Sequence, residues 1–203
     1  MDRQLYLMEE VCEESVSELI KDLIQIELED DKCEKDYKDY TRDPVYLHIM
    51  TPGGYVSSGL ALYDTIRLMK TPVFTIARGQ ASSMGVWISL AGDYRMATEN
   101  TFFMIHDASY GVYGSIQTVR ESLEQNNRLQ RKMHKIILDR TLIDDVDLMD
   151  VYRRKCDWYL DVDEAKQFRI IHEVLRDPDP TNEIWDAAAD KIEEEGKNEE
   201  KSE

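Results

Sequence analysis

Seven residues, Gly-Gln-Ala-Ser-Ser-Met-Gly from Gly79 to Gly85, set two adjacent serines among small residues, just after the apolar run Val73-Phe74-Thr75-Ile76-Ala77. A serine hydroxyl in that place has two uses. It can cap the helix that follows, or it can attack a carbonyl as a nucleophile. Attack requires a base within hydrogen-bond reach and donors aimed at the oxyanion that forms. A helix opening at Ser83 supplies unpaired backbone N–H groups and the positive end of the helix dipole. The Met84 N–H, beside the serine, is the nearest such donor. A second is the N–H of Gly54, in the turn Thr51-Pro52-Gly53-Gly54 that ends another apolar run. Without a side chain, Gly54 lets a substrate come close to the backbone.

A base must come from four histidines, His48, His106, His134 and His172. His48 lies inside an apolar strand, and His134 stands among Arg131, Lys132 and Lys135. His172 reads as structural. His106 closes the run Phe102-Phe-Met-Ile-His106, where a base facing a crevice would stand. Such a base needs a carboxylate to fix its tautomer and stabilise the imidazolium. Asp107 is adjacent, but successive side chains of a strand point to opposite faces. Spacing does not single out the acid among 42 acidic residues. In isolation each of these residues also has an ordinary use, as cap, core histidine or turn.

The elements that would hold these groups alternate. Leu5–Leu7 reads as a short strand and Glu13–Leu28 as a helix with Val16, Leu19, Ile20 and Leu23 at helical spacing. Residues 29–43 are charged by turns and read as a loop ending at Pro44. Strands are expected at 45–50, 72–77, 94–97, 102–106 and 170–175, with an extended piece at 158–160. Helices are expected at 57–69, 82–90, 115–140, 144–154 and 163–168, and a loop at 107–114. Strands alternating with helices indicate a parallel α/β sheet of βαβ units. In an open sheet of that kind ligands gather outside the carboxyl ends of the strands. The glycine turn and the serine pair would then face one crevice.

Composition bounds the function. The chain of 203 residues fits one domain, residues 1–176, with Pro178 and Pro180 marking its end and residues 177–203 forming an acidic solvated tail. A formal charge of −17 argues against nucleic acid and against an anionic membrane surface, both of which would repel the chain. The start lacks a basic segment followed by a long apolar one, and no apolar stretch has the length of a membrane span. Three cysteines, Cys12, Cys33 and Cys156, without close spacing argue against a disulfide framework or a zinc site. A soluble cytoplasmic protein is the expectation.

Four segments, "TPGGYVSSGLALYDTI", "GQASSMG", "MIHD" and "CDWYLDVDEAKQF", follow one another in an order and at spacings that resemble the Clp protease proteolytic subunit family. The resemblance covers Arg3 to about Leu175. It implies a ClpP/crotonase-like α/β fold, a β-sheet core flanked by helices with a strand–helix handle at about 109–140. It implies a serine endopeptidase with Ser83 as nucleophile, His106 as base and Asp157 as orienting acid. The oxyanion donors would be the backbone N–H groups of Gly54 and Met84. A strand at Gly111-Val112-Tyr113-Gly114 would hold extended substrate by β-pairing. No metal or cofactor is implied. The family assembles as stacked heptameric rings around a chamber and works with a Clp-type ATPase unfoldase, so a homo-oligomer, such an ATPase and a protein or peptide substrate are the implied partners. Divergent phage members, some associated with head maturation, belong to the same family.

The chain departs from the family pattern at several places. Ala108 stands where proline is usual, and Cys156 where an arginine used between rings is common. The usual Tyr-Gly-Leu-Ile-Asp has become Phe168-Arg-Ile-Ile-His172. Two other classes share features with this reading. A catalytically silent ring subunit would lack part of the triad, whereas all three residues are present. An acyl-CoA enzyme of the crotonase class shares the fold and the paired N–H donors but has no need of a Ser–His–Asp set.

Overall fold

Strand β1 (Gln4–Leu7) pairs in parallel with β2 (Val45–Thr51), and β2 with β3 (Val73–Ser82). The computed structural model that gives this arrangement describes residues 3–176. The tail expected over 177–203 therefore lies outside the described residues. Strand β3 is long enough to take two neighbours in succession. Its first half, Phe74–Ala77, pairs with β4 (Tyr94–Thr98), which pairs in turn with β7 (Glu173–Leu175). Its second half, Gln80–Ser82, pairs with β5 (Phe102–Ile105), and β5 carries the short antiparallel β6 (Trp158–Leu160). Gly79, at φ +64, sits at the fork between the two halves.

The fork is what positions the chemistry. Ser82 faces Met104 across the β3–β5 ladder. Ser83 follows the last residue of β3 and His106 the last residue of β5, so parallel pairing carries both to the same rim.

Helix α1 (Glu13–Asp36), α2 (Val56–Leu68), α3 (Met84–Ala91), α4 (Ile116–Arg140), α5 (Asp145–Arg154) and α6 (Val162–Gln167) flank the sheet. Every residue of α3 is buried, in keeping with a sequence that is apolar on all sides. The Trp87 Nε1–H donates to Met133 O at 2.9 Å and ties α3 to α4 beneath the site. No helix among the described residues is long and apolar enough to cross a membrane.

The expected α/β architecture is present, with differences in detail. The charged stretch read as a loop from residue 29 is helical as far as Asp36, and the loop is only 37–44. The apolar face Val16, Leu19, Leu23, Ile26 is continued one turn later by Asp30, which is 1% exposed. Asp30 accepts hydrogen bonds from Arg3, from the Tyr40 hydroxyl and from the Thr71 hydroxyl at 2.6 Å. Arg42 spans Glu27, Asp31 and Glu34 alongside. Ionic partners distant in sequence hold this turn, and hydrophobic periodicity does not register them. The strand expected at 111–114 is also missing: residues 106–114 are irregular and only the helix of the handle, α4, forms. A strand needs a hydrogen-bonding neighbour, and within the protomer Gly111 has open space around it.

Asp30 makes a test of that network. Burial raises its pKa, but the bonds from Arg3, Thr71 and Tyr40 outweigh this and hold it at about 2. A carboxyl depressed in the folded state stabilises above its unfolded value, about 4, and that contribution of about 2 kcal/mol is lost as pH falls toward 2. Asp30→Ala should cost about 3 kcal/mol in urea unfolding at pH 7, because it strands the partly buried Arg3 and the buried Thr71. The difference from the parent should shrink between pH 4 and pH 2.

Candidate active site

Ser83 is the residue between β3 and α3, and its backbone stands at φ +50, ψ −127. A non-glycine residue in that region is strained and persists only where its surroundings fix it. Here the Ser83 N–H donates to Met104 O at 2.8 Å and Ser83 O accepts from the Val86 N–H at 2.9 Å. The side chain makes no capping bond to α3. Its Oγ instead lies 2.8 Å from His106 Nε2. The choice between cap and nucleophile posed by the Ser82–Ser83 pair thus falls away from the cap. Ser82 is buried as the last residue of β3.

The other ring nitrogen of His106 faces Asp157. The Nδ1···Oδ1 separation is 3.7 Å, beyond hydrogen-bond length, and the Asp157 side chain is 52% exposed. Asp157 follows α5 in the loop entered through Lys155, whose left-handed backbone (φ +52) turns the chain back toward β6. Of the remaining histidines, His48 bonds Gln4 and Arg78 and His134 pairs with Asp145, while His172 accepts the Arg95 N–H; none approaches Ser83. Burial and the Arg78 charge keep His48 below its ordinary pKa.

Two backbone donors flank the serine. The Met84 N–H is the first of α3 and has no acceptor within the helix. Gly54 belongs to a turn clamped by Val11: the Val11 N–H donates to Gly53 O and Val11 O accepts from the Tyr55 N–H, both at 2.7 Å. These bonds use the groups on either side, so the Gly54 N–H lies on the opposite side of the segment from Val11. Gly53 and Gly54 stand at φ +100 and +148. A Cβ on Gly54 would meet Val11 O at 2.2 Å; one on Gly53 would meet Ser83 Cβ at 2.5 Å and Met84 N at 3.0 Å. The turn and the serine elbow are in direct contact.

A cleft of about 510 Å³ opens over these groups, lined by Ser83, His106, Gly54, Tyr55, Tyr110 and Gly111 among others. Of the four residues expected to hold substrate, Gly111 lines the cleft. Val112 lines a neighbouring depression, Tyr113 is fully exposed and Gly114 stands at φ +154 next to Thr118. Glu10 and Met133 also line the cleft, and sequence reasoning missed both. Glu10 lies between β1 and α1, beside a single-residue bridge from Val11 to Gly54, a contact too short to leave a pattern in sequence. Among the described residues no group of three or more His, Cys, Asp or Glu side chains is placed to hold a metal ion.

Comparison with known proteins bears on the family and the fold. The family model described as Clp protease matches residues 1–178. Among solved structures, a ClpP1 mutant from Listeria monocytogenes is similar to this chain with a TM-score of 0.72 and 23% identity over 86% of this chain and 92% of that one.

Proposed function

The chain belongs to the Clp protease family, and from that premise we propose that it is a serine endopeptidase cleaving peptide bonds through an acyl-enzyme. The observation that carries the reading is the 2.8 Å contact between Ser83 Oγ and His106 Nε2 at a strained helix start. His106 Nε2 takes the hydroxyl proton as Ser83 Oγ attacks the carbonyl carbon. The resulting oxyanion is received by the N–H groups of Met84 and Gly54. His106 then gives its proton to the leaving amine, and the C–N bond breaks to leave an ester on Ser83. Water, deprotonated by His106, hydrolyses that ester and frees the serine. No metal or cofactor takes part.

Asp157 stabilises the imidazolium in this scheme across a gap of 3.7 Å, on an exposed side chain. Its contribution should therefore be smaller than that of an acid locked against the ring. Asp157→Asn is expected to lower kcat/KM for a small peptide by about 10–10²-fold, against the about 10⁴ seen when a buried acid is so replaced. Steady-state hydrolysis of a fluorogenic peptide measures it.

The segment 109–114, irregular on its own, would become one side of a β-ladder when substrate pairs with it. An extended substrate lying along Gly111–Gly114 would complete it, with main-chain bonds that do not depend on side-chain identity. The same helix that follows leaves Ile116 77% and Leu123 58% exposed. Such residues on one helix support a homo-oligomer, which in this family is a ring enclosing the active sites, and in which a Clp-type ATPase would deliver unfolded protein. A cytoplasmic setting fits that role.

A fluorophosphonate probe tests the central claim. Attack of an activated serine displaces fluoride and leaves one phosphonyl adduct. Intact mass should show one adduct on the parent and none on Ser83→Ala. A folded, oligomeric parent that takes no adduct would place the chain among catalytically silent subunits.

A further inference from the structure

The C-terminal ends of α3, α4 and α6 meet near the amino ends of β4 and β7, at the opposite end of the sheet from Ser83. In a chain of formal charge −17, three arginines and a histidine, Arg95, Arg140, Arg169 and His172, gather there around a cavity of about 250 Å³. Arg95, on β4, is the innermost at 3% exposed. Its Nη2 donates to Arg140 O at 3.2 Å and to Arg169 O at 2.8 Å. Arg140 in turn donates from Nε to Leu90 O at 3.1 Å and from Nη2 to Gly92 O at 2.9 Å. These bonds have a plain structural use, since cations satisfy the orphan carbonyls at helix ends.

They do not use up the cluster. Arg95 Nε is buried without a hydrogen-bond partner. The Arg169 guanidinium has neither a hydrogen bond nor an ion pair among the described residues. Arg169, an exposed residue, also holds its backbone at φ +59, a conformation that suits glycine. His172 is engaged with Arg95 at both ring nitrogens: Nδ1 accepts the Arg95 backbone N–H at 3.1 Å, and Nε2 lies 3.2 Å from Arg95 Nη2. Burial and the three arginines keep that ring on the neutral side. Burial, with Arg140, Arg169 and Arg67, also pulls the Arg95 guanidinium down to about 10, the mark of a cation short of counter-charge.

Two carboxylates stand at the edge of the cavity, and both are engaged elsewhere. Asp93 accepts from Arg67 at 2.8 Å and from the Val73 N–H at 3.0 Å; Asp139 pairs with Lys135. What remains is a polar cavity rich in donors and poor in free acceptors. We propose that it binds an oxyanion of the phosphate class, held by the Arg169 guanidinium together with Arg95. A tetrahedral dianion offers acceptors in every direction and matches the planar fork of arginine, whereas water neutralises none of the charge. The inference is independent of the peptidase reading, because none of these residues lines the Ser83 cleft.

The test is calorimetric titration of the full chain with inorganic phosphate at pH 7.5 and constant ionic strength, beside Arg169→Gly. Glycine suits the backbone at that position, so the variant should unfold at the same or a higher temperature than the parent in phosphate-free buffer. The parent should give a saturable single-site isotherm that sulfate displaces, and bind at least about tenfold more tightly than Arg169→Gly. Phosphate should also raise the parent's unfolding temperature above that in chloride, and raise the variant's much less. No saturable heat from the parent, or equal affinity in the variant, overturns the proposal. So does acetate binding as tightly as phosphate, which would assign the cavity to carboxylates.

Discussion

Ser83→Ala is expected to lower hydrolysis of a small fluorogenic peptide by about 10⁴–10⁶-fold while leaving the unfolding temperature close to the parent's. The folding half of that expectation follows from the contacts. Ser83 Oγ makes no capping bond, and its one hydrogen bond among the described residues is with the half-buried His106. The backbone bonds that fix the elbow, from Ser83 N–H to Met104 O and from Val86 N–H to Ser83 O, survive the substitution. Alanine at φ +50 is no better suited than serine, so no strain is relieved either. The catalytic half is best read with His106→Ala and the double variant. Nucleophile and base act as one unit, so the double variant should be no slower than either single one, within a few-fold. Additive losses would mean that Ser83 and His106 work in separate steps, and would sink the acyl-enzyme scheme. Residual hydrolysis above the uncatalysed rate in all three should remain, because the Met84 and Gly54 N–H groups are untouched.

How much of this was legible in the sequence depends on the kind of contact. His106 could be placed because it ends an apolar run and the serine pair because it follows one, and parallel strands deliver such ends to one rim; the Ser82–Met104 register is that rule realised, whereas the choice of Ser83 over Ser82 came from family resemblance. Asp157 could not be placed this way. It sits in an exposed loop after a left-handed turn, where nothing in periodicity marks one aspartate from another, and only family resemblance singled it out. The last turn of α1 was misread because Asp30 occupies an apolar position and is held by Arg3, Tyr40 and Thr71, up to 41 residues away in sequence. At Gly111–Gly114 local pattern and resemblance disagreed: the two glycines read as a loop, the resemblance implied a strand, and the segment is irregular, as the local pattern expects. Local pattern reads what a segment prefers, and it erred at Asp30, where distant partners decide.

The glycine turn offers the second large effect, and it separates geometry from chemistry. Gly53 bears no reacting atom, yet a Cβ there would stand 2.5 Å from Ser83 Cβ, 2.7 Å from Ser82 O and 3.0 Å from Met84 N. None of these is the movable end of a side chain. They are the elbow itself, pinned to β5 by the Ser83–Met104 bond. Gly53→Ala therefore has to move the turn, and the turn carries Gly54 and is clamped to Val11 on its other side. The positive φ of +100 adds to the cost for any L-residue. Displacing one oxyanion donor is worth about 10²–10³ in rate, and a shifted elbow adds misalignment of the nucleophile to that. Gly53→Ala should thus lower kcat by at least about 10³-fold with a smaller change in KM, and lower the unfolding temperature by several degrees. The decisive readout is the fluorophosphonate adduct. The Ser83–His106 pair is intact in this variant, so labelling should persist but at a greatly reduced rate, unlike the complete loss in Ser83→Ala. Labelling at the parent's rate, with hydrolysis unimpaired, would mean that the turn and the elbow are not packed as tightly as 2.5 Å requires, and that Gly54 is not an oxyanion donor.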